Sequence, residues 1–124
     1  MEPWGSGHIN DTYAATYRGA GGFKRYVLQR INTTVFTNPT AQMENIQRVT
    51  QHVRGRLSEE GRDVERETLT LAPAASGRSF LLDPEGNYWR VYHLIEHSRT
   101  YDVVETPEQA HQASRAFGRF IALL

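Results

Sequence analysis

Trp4-Gly5-Ser6-Gly7-His8-Ile9-Asn10-Asp11-Thr12-Tyr13 is the stretch on which the fold turns. Two glycines flank one small hydroxyl residue, and an alternating run follows at once. Ile9, Asp11, Tyr13, Ala15 and Tyr17 fall on one side, and Asn10, Thr12, Ala14 and Thr16 on the other. Glycines ahead of a strand, rather than ahead of a helix, predict the tip of a hairpin. Backbone N–H groups at such a tip can come close to a phosphate because no Cβ blocks the approach. The loops of dinucleotide-binding and Walker-type sites open a helix instead, so neither is predicted here. The same Gly-x-Gly between strands also serves as a plain turn.

Working outward, Gly19-Ala20-Gly21-Gly22 reads as a turn. Arg25–Ile31 then alternates Tyr26, Leu28 and Arg30 against Val27, Gln29 and Ile31. That is a strand expected to pair with Asn10–Tyr17 as a hairpin. Asn38-Pro39 starts a helix, with a side-chain acceptor at the cap and Pro in the first turn. Met43, Ile46, Val49, Val53 and Leu57 give it one apolar stripe, and Gly61 ends it. Glu67–Leu71 reads as a strand, Leu69 and Leu71 inward, stopped by Pro73. Ser79–Leu82 and Asn87–Ile95 form a further hairpin around the turn Asp83-Pro84-Glu85-Gly86. Tyr88, Arg90, Tyr92 and Leu94 face one way and Trp89, Val91, His93 and Ile95 the other, so this strand is expected inside its sheet. Thr106-Pro107-Glu108-Gln109 opens a second helix with Ala110, Ala113, Phe117, Phe120 and Leu124 along one face. The order predicts an α+β fold with an antiparallel sheet.

The 124 residues suit one domain or a piece of one, long enough for a core without staples. With no cysteine there is no disulfide or thiolate metal site, which fits a reducing compartment; the expected location is the cytoplasm. Fourteen basic residues balance fourteen acidic ones, which argues against a large nucleic-acid footprint. No apolar run has the length of a membrane span. Only Met1-Glu2-Pro3 stands before the loop, and the last helix is still apolar at Leu124. The expectation is a chain cut at both ends, able to self-associate through the apolar surface left there. His93 and His97 lack helical ligand spacing, so no metal pair is expected. Tyr88, Trp89 and Tyr92 read as core and sheet residues.

Several separated blocks, in order, resemble one family: Gly5–Tyr13, Tyr26–Asn32, Met43–Ile46, Tyr88–Tyr92 through Glu96, and Ala116–Phe120. They are similar to the amino-terminal lobe of the aminoglycoside phosphotransferase and choline kinase superfamily, nearest its bacterial N-acetylhexosamine 1-kinases. The resemblance implies a protein-kinase-like small lobe over residues 1–95, a hinge over 96–104, and the first helix of a large lobe over 105–124. It implies ATP as the bound nucleotide, with Mg²⁺, and phosphoryl transfer to the anomeric hydroxyl of an N-acetylhexosamine in a full-length parent. Gly5, Ser6, Gly7, His8, Ile9 and Asn10 would form the phosphate-covering loop, with His8 either a turn residue or a phosphate neighbour. Gln29 stands where the family commonly carries a strand Lys or Arg that touches the α- and β-phosphates. Gln is neutral, and Arg30 beside it points to the opposite face of a regular strand unless a bulge turns it. Ile95, Glu96 and His97 would form the hinge whose backbone meets the adenine edge. Glu44 is the helix carboxylate that could pair with the strand residue, or else make a surface pair with Arg48. The family's general base and Mg²⁺-binding Asp have no matching motif in this sequence, so the chain alone is expected to be inactive. The alternative is a non-catalytic interaction module of the same shape.

Overall fold

The computed structural model describes residues 2–4, 9–98 and 103–124. Among them, five strands and three helices run β1 (Glu2–Pro3), β2 (Asp11–Gly19), β3 (Gly22–Arg30), α1 (Pro39–Glu59), α2 (Val64–Glu67), β4 (Leu81–Leu82), β5 (Tyr88–His93) and α3 (Pro107–Leu123). The strands form one antiparallel sheet in the order β1-β2-β3-β5-β4. The fold is therefore α+β, as the element order predicts.

β2 and β3 pair in register from Asp11↔Arg30 to Gly19↔Gly22, which leaves Ala20 and Gly21 as a two-residue turn. Gly22 takes a φ of 106°, a region closed to most side chains, so the glycine cluster allows both strands to run further toward the turn than their alternation predicts. β5 pairs with β3 on one side and β4 on the other, the interior place expected from large residues on both its faces. The hairpin turn before it is fastened by Asp83. Its Oδ1 accepts from the backbone N–H groups of Glu85 and Asn87, and its Oδ2 from Trp89 Nε1, each at 2.9 Å.

Several elements differ from expectation. The last hairpin is shorter than its alternation predicts, with β4 at Leu81–Leu82 instead of Ser79–Leu82 and β5 at Tyr88–His93 instead of Asn87–Ile95. Glu67–Leu71 is not a strand. Residues 64–67 close a short helix, and Arg62 clasps the Glu67 carboxylate at its end. Only Leu71 then bridges to β5, opposite Tyr92, before Pro73 removes a donor. The apolar face of α3 is also largely unpacked. Leu123, not Leu124, is its buried residue, and Phe117 is 70% exposed.

α1 begins and ends as its sequence dictates. Asn38 Oδ1 accepts from Ala41 N–H at 3.1 Å, Pro39 fills the first turn, and Gly61 adopts φ 69° just past the end. Gly55 inside the helix does not interrupt it. Met43, Val53 and Leu57 are its fully buried side chains. Val53 and Leu57 meet Leu123 of α3, with Val49 and Val64 against them. His52 Nε2 lies 2.9 Å from the Leu123 carbonyl and helps seat that last turn. Among the described residues, no helix is long and apolar enough to cross a membrane.

Candidate functional site

Strand alternation sends Thr12, Ala14, Val27, Gln29, Arg90 and Tyr92 to one face of the sheet. The register then stacks them into two rows. Thr12, Gln29 and Arg90 are opposite one another across β2, β3 and β5; so are Ala14, Val27 and Tyr92. The first row is polar and bonded end to end. Gln29 Nε2 donates to Thr12 Oγ1 at 3.1 Å, and Arg90 Nε donates to Gln29 Oε1 at 2.9 Å. The second row is apolar, with Ala14 and Tyr92 buried. Burial raises the Tyr92 pKa above the ordinary tyrosine value.

Beneath these rows lies a cleft of about 390 Å³. Val27, Gln29, Arg90 and Tyr92 form its roof, the segment after β5 (Leu94, Ile95 and Ser98) one rim, and Trp4 another part of the wall. Arg25 links the walls: its guanidinium stacks over Trp4 at 5.2 Å and pairs with Glu96 at 3.5 Å. A second cleft, of about 610 Å³, opens between α1 and β5 and shares Leu69, Arg90 and Tyr92 with the first. Gln42 lines this second cleft, and its Oε1 is buried without a hydrogen-bond partner among the described residues. Among those residues, Arg90 is the one Arg, Lys, Asp or Glu lining either cleft.

The expected site residues divide between cleft and surroundings. Gly5, Ser6, Gly7 and His8 lie outside the described residues. The strands on either side of them pair antiparallel, and Trp4 N–H donates to the Thr12 carbonyl at 2.9 Å. Ile9 and Asn10 are held to the end of β3: Asn10 Oδ1 accepts from Asn32 N–H at 2.9 Å, and Asn32 Nδ2 donates to the Ile9 carbonyl at 3.2 Å. These bonds tie the chain just before β2 to the end of β3, and neither Ile9 nor Asn10 lines the cleft among the described residues. Gln29 and Ile95 both line it. Ile95 N–H and C=O have no hydrogen-bond partner among the described residues. The Glu96 carbonyl is already taken by Arg66. His97 is exposed and turns the chain with a left-handed φ of 55°.

No bulge interrupts β3, so Arg30 stays on the opposite face. There its Nε donates to Asp11 Oδ2 at 3.0 Å, which raises its pKa further. Glu44 is exposed on α1 and makes no ion pair with Arg48 among the described residues, consistent with the few tenths of a kcal/mol such solvated pairs contribute. The α1 side chains at the second cleft are uncharged: Gln42, Asn45, Ile46, Val49 and Thr50. Arg90, Trp4, Val27 and Tyr92 are the wall residues that periodicity alone does not single out. The signal for Arg90 was its register opposite Gln29, which requires knowing that β3 and β5 are neighbours.

Among the described residues, no group of three His, Asp or Glu side chains could hold a metal ion. No protein-family model matches the chain.

Proposed function

We propose that the chain is a nucleotide-binding lobe of protein-kinase-like shape, part of an ATP-dependent phosphotransferase. More particularly, its blocks of resemblance support reading it as similar to the N-acetylhexosamine 1-kinases of the aminoglycoside phosphotransferase and choline kinase superfamily. The observation that carries this reading is the cleft under β3 and β5. Its apolar row, Val27 and Tyr92, offers a surface for a purine ring. The backbone of Ile95, unpartnered among the described residues, offers the donor and acceptor that an adenine edge needs. The polar row and the base of the Gly5–Asn10 link lie together at β2 and β3, where a phosphate tail would run. Of the three expected hinge residues, Ile95 keeps both its N–H and its C=O without a partner among the described residues, whereas the Glu96 carbonyl accepts from Arg66.

In this reading the chain orients a nucleotide and does not transfer phosphoryl by itself. No described residue is assigned as a Mg²⁺ ligand or a general base, and the sugar acceptor site belongs to a full-length parent. Phosphoryl transfer depends on positioning plus electrostatic stabilisation, and this chain supplies the first of these.

The test is a titration of the 124-residue chain with MgATP, followed by amide shifts. Weak binding, on the order of millimolar, is expected, because a single wall of a site loses most of the burial a closed cleft provides. Gly7→Val should abolish the response while leaving the dispersion of a folded spectrum. A second reading, a non-catalytic interaction module, is favoured by the exposed α3 face of Phe117, Ile121 and Leu124. It would win if only α3 amides responded to a partner and nucleotide moved nothing.

A further inference from the structure

We propose that Arg90 is the cation that holds the α- and β-phosphates of the nucleotide, taking up from β5 the task for which β3 offers only the neutral Gln29. This inference rests on the nucleotide reading above and deepens it.

The argument is first one of elimination. Of the cations on the three central strands, Arg30 is on the other face with Asp11, and Arg25 is engaged by Trp4 and Glu96. Arg18 and Lys24 lie toward the far turn of the β2–β3 hairpin, Arg18 stacked on Phe23. Arg90 alone sits opposite Gln29 and borders both clefts.

The argument is then one of geometry. Arg90 and Thr12 fix the Gln29 amide: the guanidinium can only donate, so Oε1 faces it, and Nε2 is left to donate to the Thr12 hydroxyl. That bond uses Arg90 Nε. The two Nη groups have no hydrogen-bond or ion-pair partner among the described residues, and the guanidinium lies 5.4 Å from the Tyr92 ring centre. A guanidinium held by its Nε and resting on an aromatic ring presents a preorganised fork of N–H donors, a shape that matches two phosphate oxygens. Gln29 is then a positioning residue: it trades the charge of a strand lysine for a carbonyl that aims a neighbour's charge.

The experiment compares MgATP with adenosine on the full 124-residue chain, by titration of wild type, Arg90→Met, and Arg90→Met combined with Gln29→Lys. Arg90→Met should weaken ATP by about tenfold or more, the size of a lost charge-assisted hydrogen bond, and leave adenosine within about twofold. Gln29→Lys should recover ATP binding in the double variant by returning a cation to β3. If wild type binds both ligands and Arg90→Met keeps full ATP affinity, the assignment of Arg90 fails and the nucleotide reading stands. Loss of both ligands in Arg90→Met, unrecovered by the added lysine, marks Arg90 as structural and overturns the assignment. Wild type that binds neither ligand overturns the nucleotide reading and this assignment with it.

Discussion

Gln29 on β3 accepts a hydrogen bond from Arg90 on β5 at 2.9 Å, although 61 residues separate them in the chain. The pair joins two strands at the roof of the cleft. A double-mutant cycle of Gln29→Leu and Arg90→Met should show a coupling energy of about 0.5–2 kcal/mol in denaturant unfolding, since a charged donor is involved and both groups are partly buried. Strict additivity would mean that the bond does not form in solution.

The small core makes α1 the main stabilising element. Leu57 is 1% exposed and meets Val53 and Leu123. Leu57→Ala should cost about 2–5 kcal/mol, a large share of what a domain of this size possesses. Phe117→Ser, on the unpacked face of α3, should change stability by less than about 0.5 kcal/mol. Urea unfolding followed by circular dichroism distinguishes the two.

Asp83 links stability to acid. The Asn87 backbone N–H first, then Trp89 Nε1, hold its carboxyl below the ordinary value of 3.8. A depressed folded value means that the contribution is present above 3.8 and is lost as pH falls through the folded value. Asp83→Asn should lower the melting temperature at neutral pH and remove that share of the acid loss. The Trp89 indole N–H resonance reports the bond directly: it should shift in acid in wild type and stay put in the variant.

Val27 lies in the centre of the apolar row, with Ala14 on one side and Tyr92 on the other. Val27→Phe should fill the cleft and abolish adenosine and ATP binding together. Because the added ring enters the cleft and leaves no core cavity, the stability change should stay below about 1.5 kcal/mol, less than the cost of Leu57→Ala. Retained adenosine binding would place the purine elsewhere.

Much of the fold is legible in the chain because local rules agree there. Asn38-Pro39 and Gly61 bound α1, Asp83–Gly86 turns the last hairpin, and alternation in Arg25–Arg30 and Tyr88–His93 sorts the two faces. Expectation and structure part where tertiary contacts outweigh a short pattern. Glu67–Leu71 alternates like a strand, yet the Arg62–Glu67 ion pair and the Asp63 turn close a helical turn first. The face of α3 is apolar along its length, but among the described residues Leu123 is the α3 side chain that joins the buried cluster with Val53 and Leu57 of α1. In the candidate site, Gln29 can be singled out in the sequence by the resemblance. Its bond to Arg90 cannot, because cross-strand neighbours distant in sequence emerge only once the sheet order is known.

The most direct test is the amide spectrum of the chain with and without MgATP. The account predicts shifts at Gly5–Asn10, at the Gln29 and Arg90 side chains, and through Leu94–Ser98, saturating together. A spectrum in which these groups stay still at millimolar nucleotide, while the protein remains folded, would contradict it.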